Sequence, residues 1–149
     1  MVNAYIEMKN RHQQEVNDLP IKFAFSDKQF EDGMRELGLK STDTDKVYGL
    51  FGNGFYRKTD AELIHDTFDR HKKEREDAIA ADKDGTGFLF HMFRYELQNH
   101  EYCYTYDCED AVEACGYTYE EVQKDPILSV ALKNAICACL QEAEEKGWY

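Results

Sequence analysis

Nothing in the chain is long and apolar enough to cross a bilayer. Its longest apolar runs, Gly87-Phe88-Leu89-Phe90 and the segment from Ile127 to Leu132, are short or interrupted, whereas a spanning helix needs about 20 consecutive apolar residues. The segment Met1-Val2-Asn3-Ala4-Tyr5-Ile6-Glu7 lacks the basic stretch and apolar core of a signal peptide, so the expectation is a cytoplasmic protein. Proline is scarce, with two residues, and glycine numbers nine in 149, which argues against a low-complexity or disordered chain. With 42% hydrophobic residues, a core forms without disulfides or a metal. No internal repeat or linker interrupts the sequence, and one domain over residues 1–149 is the expectation.

Basic residues are almost missing from the last third. Residues 95–149 hold 12 acidic and 3 basic side chains, a balance of −9, whereas residues 1–94 hold 18 and 15, a balance of −3, together making the net −12. Such a field repels nucleic acid and anionic lipid and favours basic partners.

Catalytic and metal-binding signatures are also lacking. The five cysteines, Cys103, Cys108, Cys115, Cys137 and Cys139, are odd in number and confined to the last third, unlike a secreted disulfide scaffold. A zinc site could draw on Cys103, Cys108 and Cys115 with His91 or His100, but the thiols are spaced five and seven apart rather than two to four. Free thiols acting as small apolar residues are the simpler reading. A nucleophilic pair of Cys103 with His100 or His91 has no oxyanion loop or glycine-bracketed nucleophile around it. Asp82, Asp84, Thr86, Gly87 and Leu89 fit the first positions of a calcium loop, but Phe93 stands where a bidentate glutamate is required. That stretch therefore reads as a turn. Gly49, Gly52 and Gly54 lie in a hairpin, not in a phosphate-binding loop between strand and helix. His65 and His71 do not face each other on a helix and read as surface residues. No cofactor, metal or catalytic residue is expected.

The pattern predicts an α+β fold, mostly helical, with a small antiparallel sheet in the N-terminal half. A helix over 3–17, with a thin apolar stripe, ends at Pro20. Ile21, Phe23 and Phe25 alternate as in a strand. Ser26 caps a helix over 27–37 that stops at Gly38. Strands over Lys46 to Phe51 and Phe55 to Lys58 flank Gly52-Asn53-Gly54, whose Asn-Gly pair signals a hairpin. Thr59 and Glu62 form a capping box opening a helix to about residue 81. A turn over 82–87 precedes a helix from Phe88 to Gln98, and residues 99–108 are irregular or a short strand. A small helix over 108–115, another opened by the Thr118–Glu121 capping box, and a last one over 126–145 complete the chain.

The stretch Asn99-His100-Glu101-Tyr102-Cys103-Tyr104-Thr105-Tyr106-Asp107-Cys108-Glu109-Asp110 is the most distinctive. An extended segment would place its three alternating tyrosines on one face. Carboxylates interleaved with tyrosines, which are favoured at interfaces, could imitate a phosphate track and occupy the basic groove of a nucleic-acid-binding protein. The candidate contact set is Tyr102, Tyr104, Tyr106, Asp107, Glu109, Asp110, Glu113, Glu120 and Glu121. Equally open is the reading in which the tyrosines belong to the core and the acids confer solubility.

Phe55-Tyr56-Arg57-Lys58-Thr59-Asp60-Ala61, Gly87-Phe88 with Met92-Phe93, Tyr95-Glu96-Leu97 running into Asn99-His100-Glu101-Tyr102, and Glu109-Asp110 before Gly116 resemble a group of small uncharacterised acidic proteins of bacterial phages and conjugative elements. The resemblance covers roughly residues 46–122 and brings no known activity. It implies the setting of a mobile element, where small acidic proteins of anti-restriction or anti-CRISPR type block host defence nucleases, some by nucleic-acid mimicry. A non-enzymatic acidic inhibitor of a basic nucleic-acid-handling protein is the leading expectation. The alternatives are an accessory protein without mimicry, dimerising through the final helix, and a small enzyme using His91, His100 and Cys103.

Overall fold

A computed structural model describes residues 3–50 and 52–147. The chain divides into two compact units: Arg11–Lys73 forms one, and the residues up to Asn10 together with those from Glu74 onward form the other. The boundaries fall inside two helices, α1 (Ala4–Asn17) and α3 (Ala61–Ala81), so each unit receives part of both. Helices make up most of the chain, with one three-stranded antiparallel sheet in the N-terminal half, as the residue pattern predicts.

In the unit Arg11–Lys73, β1 (Ile21–Phe23), β2 (Val47–Leu50) and β3 (Gly54–Arg57) form a sheet with β3 in the middle. Ile21 pairs with Tyr56 and Tyr48 also pairs with Tyr56, from the other side. The turn differs in one respect from the sequence expectation. Leu50 pairs with Gly54, and the left-handed residues are Gly52 (φ 75) and Asn53 (φ 63). Gly54 already belongs to the strand, where a side chain would meet the Phe23 ring at 3.0 Å. Phe51, expected to end β2, lies outside the described residues. Helix α2 (Asp27–Glu36) is capped as expected: Ser26 Oγ accepts from the Gln29 N–H, and Gly38 turns the chain away at φ 78. Its Met34, with Leu37 and Phe55, makes a small core flanked by Phe30 and Val47. Gly33 lets the helix approach the sheet, since a Cβ there would sit 2.7 Å from Phe55 Cζ.

The entry to α3 corrects the sequence reading. Thr59 does not stand extended in a cap position; it lies inside a 3-10 turn, Lys58–Asp60, that runs directly into the helix. Arg57 Nε donates to Asp60 Oδ2 at 2.7 Å and Arg57 Nη1 to the Leu37 carbonyl at 3.1 Å, which binds this corner to the end of α2. The middle of α3 is largely exposed, as its run of charges predicts.

In the other unit, α4 (Phe88–Asn99) and α8 (Pro126–Lys146) form the main helix pair. Leu89, Met92, Phe93 and Leu97 of α4 are fully buried, facing Ala131, Leu132, Ala135 and Cys139 of α8 in one cluster. Small residues at 131, 135 and 139 let the backbones come close. Helices α5 (Tyr102–Thr105), α6 (Glu109–Ala114) and α7 (Tyr119–Lys124) are short links between them, anchored by Tyr102, Val112, Cys115 and Val122 in the same core. The 82–87 turn is built around Asp82, whose carboxylate accepts from the backbone N–H groups of Gly85, Gly87 and Leu89 at 2.9–3.4 Å. It therefore caps the first turn of α4 from five residues upstream.

Candidate protein-binding face

The stretch from α5 to the start of α8 carries Glu101, Asp107, Glu109, Asp110, Glu113, Glu120, Glu121 and Asp125 against a single base, Lys124, and all nine are exposed. None of these carboxylates is in an ion pair among the described residues. Several acids elsewhere are paired: Glu36 with Lys22, Asp60 with Arg57, Asp32 with Arg35, Glu15 with Arg70, and Glu142 with Arg94 and Lys146. The unbalanced charge of the last third is thus concentrated on one continuous segment.

Local chemistry fixes that segment. Thr118 Oγ1 accepts from the Glu121 N–H and Glu121 Oε1 from the Thr118 N–H, both at 3.1 Å, so the capping box forms as expected. Asp125 accepts from the N–H groups of Ile127 and Leu128 and Asp107 from that of Glu109. Capping suits the carboxylates, because unpaired N–H groups at a helix start favour negative charge.

The tyrosines depart from expectation. Residues 102–105 are helical, not extended, and Glu101 and Tyr106 flank them in the left-handed region (φ 59 and 58). Tyr102, expected in the contact set, turns into the core and is only 9% exposed; Tyr104 and Tyr106 are 71% and 58% exposed. The helical turn rotates successive side chains by about 100°, which separates what a strand would have aligned. Tyr119, 45% exposed at the start of α7, joins the face instead. An open depression of about 370 Å³ is lined by Tyr106, Asp107, Cys108, Glu109 and Tyr119. The other expected contacts, Asp110, Glu113, Glu120 and Glu121, are exposed on α6 and α7.

A family of unknown function, DUF7659, matches residues 4–138. The chain belongs to this family. The match spans every element of the fold, running from α1 into α8, and includes the whole acidic face. No curated protein matches the chain, and no solved structure does.

In the DUF7659 chain the three residues of the enzymatic alternative have separate hydrogen-bond and ion-pair contacts. His91 Nδ1 lies 3.4 Å from the Asn3 amide, His100 Nε2 lies 3.5 Å from Glu96 Oε2, and Cys103 Sγ faces the Cys139 carbonyl at 3.5 Å. Each is engaged with a different neighbour. All five thiols are free, and burial pushes Cys115 up to about 12 and Cys139 up to about 11. Among the described residues, no group of three histidine, cysteine, aspartate or glutamate side chains is placed to hold a metal ion. No helix is long and apolar enough to cross a membrane.

Two polar centres escaped the sequence reading of the DUF7659 chain. Glu96 is 3% exposed; its Oε1 accepts from the Tyr5 hydroxyl at 2.7 Å and from Lys9 Nζ at 3.3 Å. In the unit Arg11–Lys73, His71 is buried rather than at the surface, stacked on His12 with ring centroids 3.8 Å apart and its Nε2 2.5 Å from Glu15 Oε2. Exposed His65 does lie at the surface. A glutamate among the apolar residues of a helix, as Glu96 is in Met92-Phe93-Arg94-Tyr95-Glu96-Leu97, was the available signal for the first centre. The second had none, because its partners lie 56 to 59 positions apart.

Proposed function

We propose that this DUF7659 protein is a non-enzymatic interaction protein whose α5–α7 face binds a basic surface on a nucleic-acid-handling protein. The supporting observation is the run of exposed carboxylates without basic partners, interspersed with exposed Tyr104, Tyr106 and Tyr119. With a single base, Lys124, among them, repulsion among these carboxylates is a stability cost that a cationic partner would relieve. Large amphipathic tyrosines supply contact area at low conformational cost. The likeness to small acidic proteins of phages and conjugative elements extends the proposal to the partner: a host defence protein whose nucleic-acid groove the face enters by mimicry, in the manner of anti-restriction or anti-CRISPR proteins.

The experiment is capture from a bacterial lysate at low salt on the immobilised protein, eluted by competing duplex DNA or RNA. The proposal expects a basic nucleic-acid-binding protein released by the competitor, and its loss when Glu109, Asp110, Glu120 and Glu121 are all changed to lysine. Capture that survives the charge reversal contradicts it.

A second reading rests on α8, which exposes Ile127, Val130 and Cys137 at helical spacing along one side. This stripe supports a homodimer through the final helix. Light scattering that shows twice the 17.4 kDa chain mass, reverting in Val130→Glu, is the expected result.

A further inference from the structure

The depression of about 370 Å³ on the acidic face has aromatic as well as charged walls: Tyr106 and Tyr119 with Asp107 and Glu109, and no base among its lining residues. Its walls are held before any partner arrives. Tyr106 closes α5 with its ring edge-on to buried Tyr102, centroids 6.2 Å apart at 83°. Tyr119 follows Thr118 directly, within reach of the capping box that fixes the start of α7. Between them the chain is pinned by two short bonds, Asp107 N–H to Thr105 Oγ1 at 3.1 Å and Glu109 N–H to Asp107 Oδ1 at 2.9 Å. The Cys108 thiol, pushed up by burial, stays uncharged at neutral pH and leaves the negative charge of the pocket to Asp107 and Glu109.

We propose that this pocket receives an arginine side chain of the basic partner, its guanidinium against a tyrosine ring and hydrogen-bonded to Asp107 and Glu109. This rests on the reading of the face as protein-binding and names the group that the pocket selects. A guanidinium fits better than an ammonium for two reasons. It is planar and weakly hydrated, so it lies on an aromatic ring at little desolvation cost, and its fork of donors matches a carboxylate. Ring and carboxylate together act on the same cation only where both line one concavity, and here they do.

The test titrates the isotope-labelled full-length protein with hexa-arginine and hexa-lysine peptides at low salt, following backbone amide shifts. Hexa-arginine is expected to bind at least threefold tighter than hexa-lysine, with the largest shifts at Tyr106, Asp107, Cys108, Glu109 and Tyr119. Tyr119→Leu is expected to lower hexa-arginine affinity about two- to fivefold and to erase the preference, while its thermal melt stays that of the parent. Asp107→Asn with Glu109→Gln is expected to weaken hexa-arginine more than Glu120→Gln with Glu121→Gln does. Equal affinity for the two peptides, or a lysine preference, with shifts spread over Glu113, Glu120 and Glu121 and no effect of Tyr119→Leu, overturns the arginine pocket but leaves the charged face standing. Salt-independent binding, or none by either peptide, overturns both.

Discussion

The Tyr5 hydroxyl donates to Glu96 at 2.7 Å, joining α1 to α4 through a carboxylate that is almost wholly enclosed. Lys9 Nζ, 3.3 Å from the same oxygen, supplies the countercharge that a buried carboxylate requires, and His100 Nε2 lies 3.5 Å from the other oxygen. Burial first, and then the bond to Glu96, hold the Tyr5 phenol neutral far into alkali. Tyr5→Phe keeps the ring, edge-on to Phe88 at 5.6 Å, and removes only the donor. A loss of about 1.5–3 kcal/mol is expected from a hydrogen bond to a charged group, measured by urea denaturation.

Asp82 is expected to stabilise by capping. Asp82→Ala leaves three backbone N–H groups without their acceptor and should cost about 1–2 kcal/mol. Adding calcium should not raise the melting temperature, because Phe93 occupies the place of the bidentate glutamate.

Acid lability has a named origin. Arg70 and His71 hold the Glu15 carboxyl down at about 2, and Lys146 and Arg94 do the same for Glu142. A carboxylate lowered in the folded state stabilises fully above its unfolded value near 4.5, and that contribution disappears as the pH falls toward 2. Melting temperature should therefore drop between pH 4.5 and 2. Glu15→Gln and Glu142→Gln should each make the drop shallower while lowering stability at pH 7.

The thiols should separate by burial. Exposed Cys137 is expected to react with iodoacetamide in the folded protein at pH 8, whereas Cys115 and Cys139, buried and raised to about 12 and about 11, should react only after unfolding. Because an acid raised in the folded state is a liability once its unfolded form ionises, stability should also fall as pH climbs above about 9. Mass spectrometry of peptides after timed alkylation reads the order of reaction.

Much of the fold is legible in the residues because local signals act locally. Ser26, Thr118 with Glu121, and Gly38 set helix boundaries where expected, and alternation in Ile21-Lys22-Phe23 marks a strand that the sheet then pairs. The failures are tertiary. In the first part of α3 the buried residues are Ile64, Thr67 and His71, two of them polar, while apolar Leu63 and Phe68 are exposed; periodicity of apolar residues cannot find a core face made of hydrogen-bonded polar groups. Thr67 hides its hydroxyl on the Leu63 carbonyl at 2.8 Å, and His71 its imidazole on Glu15. The acidic segment of the site could be counted from composition. The inward turn of Tyr102 could not, because it depends on left-handed backbone at Glu101 and Tyr106, neither of them the glycine that usually marks such positions.

A salt series on the captured partner bears most directly on the proposed role of the face. With dissociation constants measured from 50 to 300 mM salt, affinity should fall steeply as salt rises, and the dependence should flatten when Asp107, Glu109, Asp110 and Glu113 are neutralised together to their amides. Affinity that is indifferent to salt, or a slope unchanged by those four substitutions, would show that the partner is bound elsewhere on the protein.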